Sequence, residues 1–226
     1  MKRIYVWDVY VRLFHWALVA SMLVSFYTMK TEGEPFLFPA EIHAKSGYIV
    51  LGLLSFRWLW GLFGSFFARF STFLTSPVVS FGYAISLTRR RLKHYAGHNP
   101  LGGWMVLVML LSLTFQGASG LFLSDDIFFE APLYGVLGKD VSKTLLTLHH
   151  YNSTLLMILI GLHLGAIVVH QLLGEKLVGA MITGTKRLSG PPEDANISRE
   201  IPRAPLWRAL LAIACACTMS LVWWYW

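Results

Sequence analysis

Two histidines, His149 and His163, stand fourteen residues apart in one long apolar run, a spacing suited to a pair of metal-ligating imidazoles. On a helix, fourteen residues fall only about 40° short of four full turns and rise about 21 Å. Both rings then face the same way, one near each side of a bilayer. Two more, His15 and His43, lie inside or at the start of other apolar runs. Ionisable side chains are scarce in membrane spans and mark function where they occur. Metal coordination satisfies a polar ring that lipid would leave unpaired. Four such rings need apolar elements that cross a membrane and bring them together in pairs.

The composition supplies such elements. The chain has 226 residues, 55% of them apolar and only 14% charged, with mean hydropathy +0.55. That balance indicates an integral membrane protein rather than a soluble domain. A sequence pI near 9.5 raises a nucleic-acid reading, but most basic residues flank apolar runs instead of lining a soluble face, so no nucleic acid is expected. Cys215 and Cys217 form a C-x-C in the last apolar run, too close on a helix for a disulfide. No C-x-x-C-H occurs, so no c-type haem is attached through thioethers. Met1-Lys2-Arg3 followed by an apolar stretch imitates a signal peptide, yet Arg12 and His15 interrupt it and no small-residue cleavage site follows. It reads as a retained first span.

Five stretches have the roughly twenty apolar residues needed to cross a bilayer: about 10–29, 43–65, 102–123, 145–172 and 205–226. A sixth, Thr72 to Leu87, is shorter and broken by Pro77 and Gly82, so it reads as interfacial. The fold class is therefore an all-α integral membrane protein. Lys2, Arg3, Arg12, Arg69, the Arg89–Lys93 cluster, Lys176, Lys186, Arg187, Arg199, Arg203 and Arg208 fall on one side of a five-span chain. The positive-inside rule places that side, with the N-terminus, in the cytoplasm and the C-terminus outside. The basic side also suits anionic membrane lipid. Trp223-Trp224-Tyr225-Trp226 would anchor the outer interface, and 185–204, with its prolines, reads as an irregular linker.

Orientation converts position into depth. His15 lies near the cytoplasmic end of span one, and His43 begins span two at the outer face. Span four places His149 toward the outside and His163 toward the cytoplasm, which pairs His15 with His163 and His43 with His149. Two imidazoles on facing helices are the axial set of a bis-histidine haem. His150 competes with His149, but thirteen residues turn it roughly 140° from the face of His163. His149 is the preferred ligand, and His150 is left to face a loop, a propionate or a quinone. Gly47 lies one turn past His43, while Gly161 and Gly165 flank His163; such small residues suit a flat cofactor and ordinary helix packing equally. Arg12 and Arg57 point toward the cytoplasmic end, where they could bind haem propionates or snorkel to headgroups. His94 and His98 have i,i+4 spacing, but Gly97 and Pro100 argue for a solvated loop. Asn152-Ser153-Thr154 matches a glycosylation acceptor but lies inside span four and is set aside.

Val6-Trp7-Asp8, Arg12 and Phe14-His15-Trp16 resemble the first span of the bacterial diheme cytochrome b561 and nickel-iron hydrogenase cytochrome b subunit family. Ile42-His43-Ala44-Lys45-Ser46-Gly47 resembles the start of its second span, and Gly97-His98-Asn99-Pro100 with Gly102-Gly103-Trp104 the entry to its third. Leu148-His149 through Leu162-His163 resembles its ligand-bearing fourth span, and Met181-Ile182-Thr183-Gly184 the segment after it. The resemblance covers about 4–187. It implies a four-helix bundle with two b haems ligated by His15, His43, His149 and His163, and Arg12 near propionates. The expected organisation is a diheme domain over 1–187, a cytoplasmic linker over 188–204 and an additional helix over 205–226.

The implied role is electron transfer across the bacterial inner membrane between the quinone pool and a partner, either a c-type cytochrome, another periplasmic redox protein or a hydrogenase. One alternative is a stand-alone superoxide:quinone oxidoreductase. Another is a non-redox metal-ion transporter, which would favour discontinuous spans and carboxylates beside the histidines. Spans two to five carry no internal Asp or Glu that falls in the bilayer core.

Overall fold

Apolar runs of this length form helices in lipid because every backbone N–H and C=O must find its partner within the segment. A computed structural model describes residues 2–29, 39–89, 94–127, 129–188, 190–194 and 204–226. In chain order the elements are β1 (Lys2–Tyr5), α1 (Val9–Thr28), α2 (Pro39–Phe63), α3 (Phe70–Phe73), α4 (Pro77–Thr88) and α5 (Pro100–Gly120). Then follow α6 (Lys139–Leu172), α7 (Leu177–Thr183), β2 (Thr185–Leu188) and α8 (Leu206–Trp224). Among the described residues, α1, α2, α5, α6 and α8 are long and apolar enough to cross a membrane. They match the five expected spans, the fourth beginning six residues before the expected 145, and the protein is an all-α membrane protein.

The chain divides into two compact units. The first comprises Met1–Leu13, Trp58–Val108 and Leu159–Leu210, and the second Phe14–Arg57, Met109–Ile158 and Leu211–Trp226. Within the first, β1 and β2 pair antiparallel, Lys2 opposite Leu188 and Tyr5 opposite Thr185. The ribbon corrects the reading of 185–204 as wholly irregular: Thr185–Leu188 is a strand. Four residues are too few for a periodicity signal, and the pairing partner is at the far end of the chain. Gly184 makes the geometry possible. It caps α7 at φ 79° in the left-handed region, its carbonyl accepts from the Val6 and Trp7 amides at 2.8 and 3.1 Å, and a Cβ there would meet the Trp7 carbonyl at 2.7 Å.

Pro77 starts α4 rather than breaking it. Ser76 caps the helix by accepting from the Val79 amide, and Pro77 occupies the first turn, where its missing N–H costs nothing. Of the basic cluster, Arg89 follows α4, whereas Arg90, Arg91 and Lys93 lie outside the described residues, as do Arg199 and Arg203 of the expected linker.

Within the second unit the helices are tied by polar residues. Ser46 Oγ donates to the Ser21 carbonyl at 2.7 Å and lies 2.7 Å from Ser25 Oγ, joining α1 to α2. Ser112 Oγ donates to Asn152 Oδ1 at 2.7 Å, and Asn152 Nδ2 donates to Gln116 Oε1 at 2.6 Å and to the Ser112 carbonyl at 3.0 Å, joining α5 to α6. These links give Asn152 a structural role inside the span. Gly52 seats α8 on α2, because a Cβ there would overlap Ser220 and the Ala216 carbonyl.

Candidate functional site

His43 on α2 and His149 on α6 come together in the second unit, with ring centroids 6.3 Å apart and planes at 70°. A bond from a transition metal to an imidazole nitrogen is about 2 Å. Two imidazoles bound on opposite sides of one metal therefore hold their ring centres roughly 6 Å apart. The observed separation fits a shared metal between the rings.

The hydrogen bonds also choose the ligating nitrogen. His43 Nδ1 lies 3.0 Å from the Ser25 carbonyl oxygen, which only accepts, so Nδ1 carries the proton. His149 Nδ1 lies 2.9 Å from Ser119 Oγ, whose own proton goes to the Gln116 carbonyl at 3.1 Å. The serine oxygen then accepts from His149 Nδ1–H. In both neutral rings Nε2 keeps its lone pair for a metal. A metal-bound histidine ordinarily has its second nitrogen held in this way. Among the described residues no group of three or more His, Cys, Asp and Glu gathers to cage a bare ion. A two-imidazole donor set suits a metal whose other ligands come from a macrocycle.

Space for a flat group is present beside His43. Gly47, one turn along the same face, has no atom within 4 Å of an added Cβ, although it is half-buried. Gly120 approaches His149, whose Cε1 would lie 3.5 Å from a Cβ there. Gly161 and Gly165 are also open, but two residues on a helix turn about 200°. They lie on the face away from His163, and both are exposed. Their openness belongs to the helix exterior rather than to a cradle around that ring.

The remaining sequence-predicted residues take the following places. His15 is half-buried on α1 and meets Trp16 edge-on at 5.1 Å. His163 is half-buried on α6. His15 belongs to the second unit and His163 to the first. His150 is exposed, its ring centroid 6.5 Å from that of His149. Arg57 is only 4% exposed, which does not fit snorkelling to headgroups. Arg12 donates from Nη1 to the Ile182 carbonyl at 2.6 Å, at the end of α7 where backbone carbonyls lack helical partners. His98 packs between Trp7 and Phe73, with centroids at 4.7 and 4.6 Å, so it is an aromatic-core residue rather than part of a solvated loop.

Several partners escaped the sequence reading. Ser25, Ser119 and Gln116 hold the two imidazoles or their hydroxyl partner, and a signal for them exists. Ser112, Gln116 and Ser119 are spaced by four and three residues, a polar stripe on one face of an otherwise apolar span. Asp8, named in the sequence only as part of the first-span motif, also has a role that the motif did not reveal. Its Oδ1 caps α1 by accepting from the Val11 amide at 2.8 Å, and its Oδ2 accepts from Trp60 Nε1 at 3.0 Å and from Ser65 Oγ. Asn99 similarly caps α5 through the Gly102 amide at 2.8 Å. Much of the Val6-Trp7-Asp8 and Gly97–Pro100 motifs therefore secures helix starts.

Apolar spanning helices and a close imidazole pair, each ring hydrogen-bonded through Nδ1, have the donor set of a haem-binding membrane cytochrome. The prokaryotic cytochrome b561 family matches residues 6–184, most of the chain, and the protein belongs to that family. It is 26% identical over 222 residues to a probable Ni/Fe-hydrogenase B-type cytochrome subunit of Rhizobium leguminosarum bv. viciae, covering 85% of this chain and 92% of that relative. No solved structure matches. The protein is thus a membrane b-type cytochrome of electron transfer, and the His43–His149 donor set fits the b-type haem that the family implies.

Proposed function

We propose that the chain holds two b haems, one between His43 and His149 and one between His15 and His163, and carries electrons between the quinone pool and a redox partner. The observation that carries this reading is the His43–His149 pair at 6.3 Å with both Nδ1 atoms engaged. A b haem supplies one-electron exchange at its iron, with a potential tuned by ligand hydrogen bonding and burial. The protein's part is to fix both rings in the Nδ1–H tautomer, to leave room at Gly47 and to exclude water. The second pair is supported by the fourteen-residue register on α6, which repeats the facing direction of His149 at His163. Arg12 and Arg57 are each assigned to propionate binding, and the exposed His150 to a quinone.

The membrane is the bacterial inner membrane, with the N-terminus cytoplasmic and the C-terminus periplasmic, as the distribution of Lys and Arg supports. The diheme domain covers 1–187, a cytoplasmic linker 188–204 and the additional helix 205–226. The hydrogenase subunit among its relatives favours a periplasmic or membrane-associated redox protein, such as a hydrogenase or c-type cytochrome, as the partner. Dithionite-reduced minus oxidised spectra with a haem-to-protein ratio test the reading. Two b haems per chain are expected, and a folded, haem-supplied preparation without haem would overturn it.

A further inference from the structure

A cavity of about 380 Å³ opens beside the His43 end of α2, within the second unit. Glu41, Lys45 and Tyr48 of α2 line it, with Glu130 from the segment after α5 and Trp224 and Trp226 from the end of α8 and just beyond. The two tryptophans lie outside the family match over 6–184, so this enclosure is built partly by the additional helix. At 100° per residue, Glu41, Lys45 and Tyr48 fall about 140–200° around α2 from His43. Cavity and ligand therefore occupy opposite faces of one helix, whose full diameter is about 10–12 Å.

We infer that this cavity binds the aromatic head of a quinol and that Glu130 accepts its protons. The inference rests on the quinone-linked function proposed above. Volume and lining agree with a single flat ring: small-molecule sites run from about 300 Å³ upward and combine aromatic walls with few polar groups. Charge separates a quinol from a phospholipid headgroup. Lys45 Nζ lies 2.5 Å from Glu41 Oε1 and 5.2 Å from the centre of the Trp224 ring, so its charge is already matched. Among the described residues, Glu130 leaves the lining net negative, which repels a phosphate and suits a hydroxyl donor. A hydrogen-bonded turn holds Glu130 in place, with the Ala131 amide donating to the Leu123 carbonyl at 2.9 Å and the Leu133 amide to the Leu121 carbonyl at 2.8 Å. Tryptophans at the end of an apolar spanning helix suit a membrane–water boundary, where amphipathic rings collect. Oxidation of one quinol releases two electrons and two protons and leaves a quinone. The Glu130 carboxylate takes the two protons in turn and passes them to water, and b haem, when bound, would accept the two electrons one at a time.

The test uses the full haem-loaded protein in lipid nanodiscs. Reduction by decyl-benzoquinol is followed in a stopped-flow instrument for wild type and Glu130→Gln, and an azido-benzoquinone maps the site by photolabelling. Loss of a general base typically costs about a hundredfold or more. Glu130→Gln is expected to slow quinol reduction by about that factor, with the dithionite spectrum and haem potentials unchanged. The label is expected on 41–48 and 223–226. Wild-type rates in Glu130→Gln, label elsewhere, or a phospholipid retained in the cavity by native mass spectrometry would overturn the assignment while leaving quinone-linked function intact. Wild-type haems that exchange electrons with no quinol or quinone would overturn both.

Discussion

Ser119 and Ser25 hold their histidines by different means. Ser25 offers its backbone carbonyl to His43, which no side-chain substitution removes, whereas Ser119 offers its hydroxyl to His149. Ser119→Ala would take away the acceptor that sets the His149 tautomer, and the site is buried, so water does not readily replace it. Loss of such a partner typically costs about 10–100-fold in metal affinity. Ser119→Ala should weaken haem retention by about that factor and shift the potential of one haem only. Redox titration followed at the b-haem absorbance checks both. An unchanged titration would separate Ser119 from the cofactor. The candidate histidines stand out in the sequence because ionisable rings contrast with apolar residues. Their partners are less legible, because a lone serine in a span has ordinary packing roles as well.

At the scale of elements, the paired strands and α7 depend on one charged cluster. Lys186 on β2 is 5% exposed and donates to Glu175 Oε2 at 2.8 Å and to the Tyr95 carbonyl at 2.9 Å. Burial alone would raise the Glu175 carboxyl, but hydrogen bonds and charge from His170 and Lys186 prevail and hold it at about 2, against an ordinary 4.5. A carboxylate so depressed contributes stability that is complete above pH 4.5 and is lost as pH falls toward about 2. Glu175→Gln should cost about 2 kcal/mol at neutral pH, as befits a hydrogen bond between charged groups. It should also flatten the acid limb of thermal unfolding between those two pH values. A wild-type acid limb in the variant would show that the pair contributes nothing. The five spans were legible because twenty apolar residues leave few alternatives. The ribbon was not: four-residue strands lack a detectable period, and Lys2–Tyr5 pairs with Thr185–Leu188 across nearly the whole chain.

For the molecule as a whole, α6 sets the spacing of the chemistry. Its 34 residues make a helix of about 51 Å, well beyond a hydrocarbon core of roughly 30 Å. His149 lies ten residues from its start at Lys139 and His163 nine from its end at Leu172. Each ring is therefore about 14–15 Å from the helix end in its own unit. The unit boundary at 158/159 falls between them, with His149 in the second unit and His163 in the first. The proposed pairing by depth makes two separate one-electron centres, rather than one site whose loss disables everything. His163→Ala should thus lose one haem per chain and keep the other with its spectrum and potential nearly unchanged, while His149→Ala should lose the complementary one. Haem-to-protein ratios and redox titrations of the two variants decide the matter. Equal loss of both haems in either variant would mean that the four histidines form a single interdependent site and that pairing them by depth is wrong.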